Sequence, residues 1–450
     1  MGKKLEEKLK IYADEIEKAT SIDKDIYEKY AIKRGLRNKN GTGVLVGVTK
    51  VGDVSGYEIK DGKKIPAEGE LFYRGYPLTR MVYDIEKSQR LGFEEVIYLL
   101  LFDKLAKEDE LIKFKKVLAK NRELPAYFIE DAILKVPGAD IMNKMMRAML
   151  ALYTYDENPD GTDSLNVLRQ SISLISKMPL LAIYSYQVKI HKFDNKSLVM
   201  HNPDPKKSIA ENILAMLRVD QKYTREEAEV LDLLLIIHAE HGGGNNSAFA
   251  THVVSSSGTD SYSAMAAGLA SLKGPRHGGA NIKVAKMIDD MKENIKDEEH
   301  KVEIKAYLEK ILDKKAFDGE GLIYCLGHAV YTLSDPRAVL LKEKARDLAK
   351  IKGREGDFIF VENIEKIGQE LIMEKFKRSY PPCANVDLYS GLVYDMLKIP
   401  RELFLPIFAI SRTVGWQAHR LEQIADKKII RPAYLSLSDR KEYIDLEKRK

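Results

Sequence analysis

Residues 224–244, TREEAEVLDLLLIIHAEHGGG, decide the fold class. Thr224 and Glu227 form a capping-box pair, in which two side chains satisfy the orphan N–H groups of a helix start. The apolar residues that follow recur three and four apart, and the triple glycine Gly242, Gly243, Gly244 stops the helix. The spacing predicts one helix with His238 and His241 in its last turn. The same pattern, rich in Leu, Ile, Ala, Glu and Lys, runs through most of the chain. One region departs from it. Between Gly41 and Phe72 the run GVLVGVTKVGDVSGYEIKDGKKIPAEGELF combines β-branched residues with Asp-Gly and Gly punctuation, which favours short strands joined by turns. Everything after it reads as helix. The expected fold is mainly α, with a small N-terminal β-hairpin region.

Next along the chain, Ser247 to Leu272 is dominated by Ala, Ser and Gly and reads as a buried helix pair broken near Gly258. Helical patterns end before Pro275, Pro336, Pro400 and Pro432. The start, MGKKLEEKLKIYADEIEKA, mixes charges with apolar residues at helical spacing and lacks the continuous apolar core of a signal peptide. Glu6 stands where a myristoylation pattern needs Ser or Thr. Apolar runs such as Leu233 to Ile237 are far too short to span a membrane. Cys325 and Cys383 are the only cysteines, which fits a reducing compartment. A cytoplasmic protein is expected, with the C-terminal DRKEYIDLEKRK as a solvated tail. At 450 residues the chain exceeds the usual single domain. Lys and Arg total 73 against 68 Asp and Glu, and a net charge of +5 is no footprint for nucleic acid.

Several residues stand where chemistry is possible. His277 lies in GPRHGGAN, a Gly/Pro-rich loop just before a helix starting near Asn281; a helix N-terminus disfavours a nearby imidazolium, so a neutral ring able to donate a hydrogen bond is expected. His328 follows Cys325-Leu326-Gly327 and precedes the triplet Asp335-Pro336-Arg337, an imidazole that can polarise a ketone near a guanidinium that can hold a carboxylate. Asp387 enters a helix after Asn385-Val386, either as an N-cap carboxylate or as a general base. Arg412 sits inside the apolar helix LFLPIFAISRTVGW and calls for a counter-ion. Arg431 is a further candidate carboxylate ligand. His191, His201, His252, His300 and His419 read as hydrogen-bonded core or surface residues. His238 and His241 are three apart rather than the four of a zinc-binding helix, so no metal site is expected. No GxSxG elbow and no Walker loop occurs in the sequence.

HAEHGGGNNSA, SLKGPRHGGAN, LGHAVYTLSDPRA, ANVDLYSGLVY, SRTVGWQAHRLEQ and the final RP, with GLRNKNGTGVLVGVTKVGDVSGY and LFYRGY before them, resemble the citrate synthase family in order and spacing. The resemblance covers about Leu36 to Arg431. It implies a two-domain helical fold, with a large domain of residues 1–278 and 390–450 on the oxaloacetate side and a small domain of 279–389 on the coenzyme A side. It implies condensation of acetyl-CoA with oxaloacetate and hydrolysis of citryl-CoA. In those terms Asp387 abstracts the methyl proton, His277 stabilises the enol or enolate, and His328 polarises the oxaloacetate carbonyl. His241, Arg337, Arg412 and Arg431 bind carboxylates, Arg431 from the partner subunit of a homodimer or higher homo-oligomer. Lys375, Lys377 and Arg378 are assigned to the coenzyme A phosphates. No resident cofactor is implied, acetyl-CoA being a co-substrate. Three departures stand out: Gly242 follows His241 where many members carry Glu, the stretch from His277 to His328 is long, and YPPCA precedes Asn385. The rival readings are a 2-methylcitrate synthase using propionyl-CoA, a citryl-CoA lyase, and a helical scaffold without chemistry. Retention of His277, His328 and Asp387 argues against the scaffold.

Overall fold

The computed structural model describes residues 3–449. The chain divides into two compact units, the described residues of 1–48 with 58–65, and those of 49–57 with 66–450. In the smaller unit the helices Lys3–Thr20 and Asp25–Lys29 are followed by a single turn, Arg34–Leu36. An antiparallel bridge then pairs Arg37 with Gly43. At the hairpin tip Asp61 and Gly62 take φ of 51° and 72°, the left-handed pair that an Asp-Gly turn supplies. The β-branched run at 44–48 forms no strand, and Leu45 and Val48 are almost fully exposed.

The strands are β1 (Gly52–Lys60), β2 (Lys63–Tyr73) and β3 (Tyr76–Pro77), ordered β1-β2-β3, with Tyr73 opposite Tyr76 across the β2–β3 pair. The rest of the larger unit is mainly helix. The decisive stretch forms the helix Arg225–His238, with the reciprocal Thr224–Glu227 cap in place. It ends one turn earlier than the spacing predicts, so His241 lies beyond it. The Tyr73 hydroxyl meets the carbonyl oxygens of Ile236 at 2.9 Å and Glu240 at 3.3 Å, and Gly242 turns the chain at φ 79°. The small-residue segment is the expected helix pair, Asn246–Ser256 and Ser261–Lys273, with Gly258 between them at φ 82°.

Two further expectations fail. Residues 313–335 are irregular rather than helical, and Pro336 opens the helix Pro336–Lys352 instead of following one. Proline has no N–H to leave unpaired at a first turn, which explains its place. The main core packs the long helix Ser164–Phe193, the helix Phe404–Asp426 and their neighbours. A second core lies within 287–372, where Met287, Leu308, Ile311, Phe360 and Ile364 join the helices Ala280–Asn294, Lys301–Leu312 and Glu355–Phe376.

Candidate active site

The site is assembled by two irregular segments zipped together. Leu326 and Ala384 form an antiparallel bridge; Gly327 N donates to Cys383 O at 2.7 Å and Asn385 N to Cys325 O at 3.0 Å. Gly327 takes φ 110°, a value open to glycine, and this kink launches His328 from the bridge. His328 and Asp387 are thereby brought onto neighbouring strands of chain. Asp387 is the first residue of the helix Asp387–Met396 rather than its N-cap, because Asn385 Oδ1 takes the Asp387 N–H at 3.0 Å and leaves the Asp387 carboxylate unspent on capping.

His328 has a defined tautomer. Its Nδ1 accepts the N–H groups of Val330 and Tyr331, each at 3.1 Å, so that nitrogen carries no proton and the neutral ring presents Nε2–H. The ring stacks on Tyr331, with centroids 4.6 Å apart at 28°, and meets the edge of His241 at 5.3 Å. His241 is buried, and its Nε2 has no hydrogen-bond partner. Burial first, then the charges of Arg337 and Arg412 and the neighbouring His328, hold its pKa well below the ordinary value, so it is neutral.

Arg337 is buried at the second position of its helix, not solvated. Its Nε and Nη2 grip the two oxygens of Asp335 at 3.0 and 2.7 Å, and its guanidinium lies 5.7 Å from the Tyr331 ring centroid. Asp335 also receives Val386 N at 3.3 Å, tying the Arg337 turn to the Asp387 turn. Arg412 is 1% exposed. Its Nε donates to His238 O at 2.6 Å, while Nη1 and Nη2 have no hydrogen-bond partner among the described residues. The helix carrying it comes close because Gly415 has no side chain: a Cβ there would stand 2.5 Å from Ala239 O. Burial lowers the Arg412 pKa to about 10, with Glu240 opposing and Arg337 reinforcing the shift. A buried guanidinium with both terminal nitrogens unpaired is costly unless an anion completes it.

His277 sits on the turn between Gly274 and Gly279, just before the helix Ala280–Asn294, as expected. Its Nε2 lies 3.1 Å from Ser247 Oγ, which accepts Trp416 Nε1–H at 3.2 Å and donates to Asn245 Oδ1 at 2.8 Å. Asn245 Oδ1 and His277 Nε2 compete for the one serine proton, and only when it turns from Asn245 to Nε2 is the imidazole proton left on Nδ1 as a donor. Burial, reinforced by Arg412, lowers the His277 pKa to about 4, so the ring is uncharged at neutral pH. Asp387 moves the other way. Burial and the nearby Asp335 raise it above the ordinary carboxylate value, against opposition from Arg337, Asn281 and Arg412.

The structure therefore gathers His241, His328, Arg337, Arg412 and Asp387 into one electrostatic neighbourhood, with His277 reaching it through Arg412. Arg431 is not among them: it is exposed beyond the last long helix, with no hydrogen bond or ion pair to the described residues. Lys375 is committed to Asp313 at 2.7 Å and Leu312 O at 2.8 Å, while Lys377 and Arg378 stand exposed at the end of the same helix. His238 spends Nδ1 on Leu234 O at 2.7 Å. Sequence reasoning missed Ser247, Asp335 and Tyr331. Asp335, immediately before Pro336, carried an N-cap signal; the other two carried none.

The family described as "Citrate synthase, C-terminal domain" matches residues 40–433. A Synechocystis protein named citrate synthase is 32% identical over 375 residues, 83% of this chain and 86% of the relative. The crystal structure of citrate synthase from Pyrobaculum aerophilum aligns with a TM-score of 0.71 at 31% identity, covering 90% of this chain and 94% of that one. The citrate synthase of Thermoplasma acidophilum, solved as a ternary complex with carboxymethyl coenzyme A and oxaloacetate, aligns at 0.74 and 28% identity, covering 93% and 99%. Shared sequence and a shared fold over most of the chain lead to one conclusion: this chain belongs to the citrate synthase family.

Proposed function

We propose that the protein condenses acetyl-CoA with oxaloacetate and hydrolyses the resulting citryl-CoA to citrate and CoA. The observation that carries this reading is the buried Arg412, whose unpaired Nη1 and Nη2 call for a planar anion beside neutral His241 and Asp335-braced Arg337. A dicarboxylate with a ketone between its acidic ends fits that set, the ketone oxygen facing His328 Nε2–H. Asp387 removes a methyl proton from the thioester, and His277 donates to the thioester oxygen as negative charge grows there. The enol carbon attacks the ketone carbon, His328 stabilises the new alkoxide and supplies its proton, and water then cleaves the thioester. A carboxylate of raised pKa and an uncharged imidazole share an enolisation that neither achieves alone.

The reading includes a small domain of 279–389, supported by the second core within 287–372, and a working unit of at least two copies, in which Arg431 enters the partner's site. Lys377 and Arg378 remain its candidates for coenzyme A phosphates, Lys375 being paired with Asp313. It needs no resident cofactor. A cytoplasmic location is in keeping with two free cysteines and with the lack, among the described residues, of any helix long and apolar enough to cross a membrane.

The test is thiol release with oxaloacetate and a panel of acyl-CoA esters. Acetyl-CoA should have the highest kcat/KM. One methylene in such a pocket is worth about 1–3 kcal/mol, so a preference for propionyl-CoA would reassign the protein as a 2-methylcitrate synthase. No thiol release with any ester would sink the condensation altogether.

A further inference from the structure

Tyr331 is 2% exposed, and its hydroxyl has no hydrogen-bond partner among the described residues. A buried phenol normally finds one, and leaving it without costs free energy comparable to a lost hydrogen bond. The orphan is not isolated. Arg412 Nη1 and Nη2 and His241 Nε2 are buried and unpartnered too. The His241 ring edge lies 5.5 Å from the Tyr331 ring, and the Tyr331 hydroxyl feels Arg337, Asp335, Tyr73 and Arg412 as its charged and phenolic neighbours. Unsatisfied polar groups on three side chains, drawn from three separate segments, share one small volume.

The tyrosine is also held with unusual firmness for a residue in an irregular segment. The hairpin packs against it through glycines: a Cβ on Gly56 would stand 2.6 Å from Tyr331 Cα, and one on Gly69 would stand 2.7 Å from Cδ1. The next residue, Thr332, is fastened to the same hairpin by Ala67 N at 3.0 Å and by its hydroxyl to Gly56 O. The N–H of Tyr331 itself donates to His328 Nδ1, and its ring stacks on the His328 ring. Such backing from rigid neighbours is what a site needs to keep a substrate ligand in place.

Resting on the condensation proposed above, we infer that Tyr331 is a substrate-binding and positioning residue: its hydroxyl donates to a carboxylate of the dicarboxylate substrate while its ring fixes the plane of His328. The two parts separate experimentally. Tyr331→Phe keeps the ring and removes the donor, so the KM for oxaloacetate should rise roughly tenfold or more, the usual effect of losing a hydrogen bond to a charged group. Its kcat should stay within about threefold and its KM for acetyl-CoA should not move, as expected for binding lost equally from ground and transition states. Tyr331→Leu removes the stacking surface as well and should lower kcat in addition. Calorimetric titration of wild type and Tyr331→Phe with oxaloacetate and with malate, without any acyl-CoA, reads the same hydrogen bond apart from turnover. A Tyr331→Phe protein with wild-type oxaloacetate KM and wild-type dicarboxylate affinity overturns the inference. Failure of the wild type to turn over oxaloacetate would instead count against the condensation, and a loss of dicarboxylate affinity in Tyr331→Phe would still support the hydroxyl contact. The near-isosteric Phe variant is checked for folding by its melting temperature.

Discussion

A carboxylate can take a proton from a weak carbon acid only if solvation and ion pairing have not already stabilised it. Asp387 meets that condition through burial, through the neighbouring charge of Asp335, and because Asn385 takes over its N-capping role. Its raised pKa has a pH consequence with a definite sign. As the proposed base it works ionised, so the acid limb of kcat should lie above the pH at which an ordinary aspartate titrates, and activity should climb as pH rises through it. Asp387→Asn should lower kcat by at least about a hundredfold while oxaloacetate binding survives. A carboxyl whose folded pKa is raised costs stability once it ionises, so the Asn protein should melt no lower than wild type at neutral pH. Steady-state kinetics and a melting curve on the same preparation check both statements; near-normal turnover in the folded variant would remove the assignment.

Among the elements, the helix Phe404–Asp426 carries more than Arg412. Two turns further on, fully buried His419 places Nε2 2.9 Å from Glu240 Oε1, on the residue just before His241. Glu240 Oε1 also takes Gly242 N, so the ion pair braces the turn that presents His241. Burial alone would lower the His419 pKa, but Glu240, with help from Glu422, raises it to about 9 from 6.5. A histidine with a raised folded pKa contributes stability that is complete below pH 6.5 and is lost as pH rises through about 9. His419→Gln leaves the Glu240 charge buried and unpaired, which costs about 3–5 kcal/mol in comparable pairs. Unfolding curves between pH 6 and pH 10 should therefore show a decline for wild type that is absent in the variant; parallel curves would refute the pairing.

At the scale of the whole molecule, the exposed Arg431 separates a one-chain site from a shared one. If each site draws Arg431 from a second copy, neither Asp387→Asn nor Arg431→Ala chains alone should be active. Mixing them under subunit exchange creates heterodimers with one doubly damaged site and one intact site. With random pairing half the dimers are mixed and half their sites are whole, so about a quarter of wild-type activity should return. No recovery, with heterodimers verified by native mass spectrometry, would show that Arg431 serves its own chain or no site.

Local sequence was enough for the helical class, the capped start of the helix at Thr224, the helix pair around Gly258 and the Asp-Gly turn, because each follows from residues adjacent along the chain; the end of that capped helix at His238 was not among them. It also marked His277, His328, Arg337, Asp387 and Arg412 as candidates, since glycine loops, a helix start and a charge inside an apolar helix are local signals. Irregular residues 313–335 escaped it: their order comes from bonds to distant partners, Thr332 to the hairpin and Gly327 to Cys383, which no local periodicity records. For the same reason nothing in the sequence pointed to Tyr331 or Ser247, whose positions depend on rings and hydroxyls contributed by other segments. His419 read as a hydrogen-bonded core or surface residue; the structure places it in the core, and its partner Glu240 was invisible in the sequence. Only tertiary structure decided which charges are paired and which are left open, since desolvation and distance set that balance and neither is written in the order of residues.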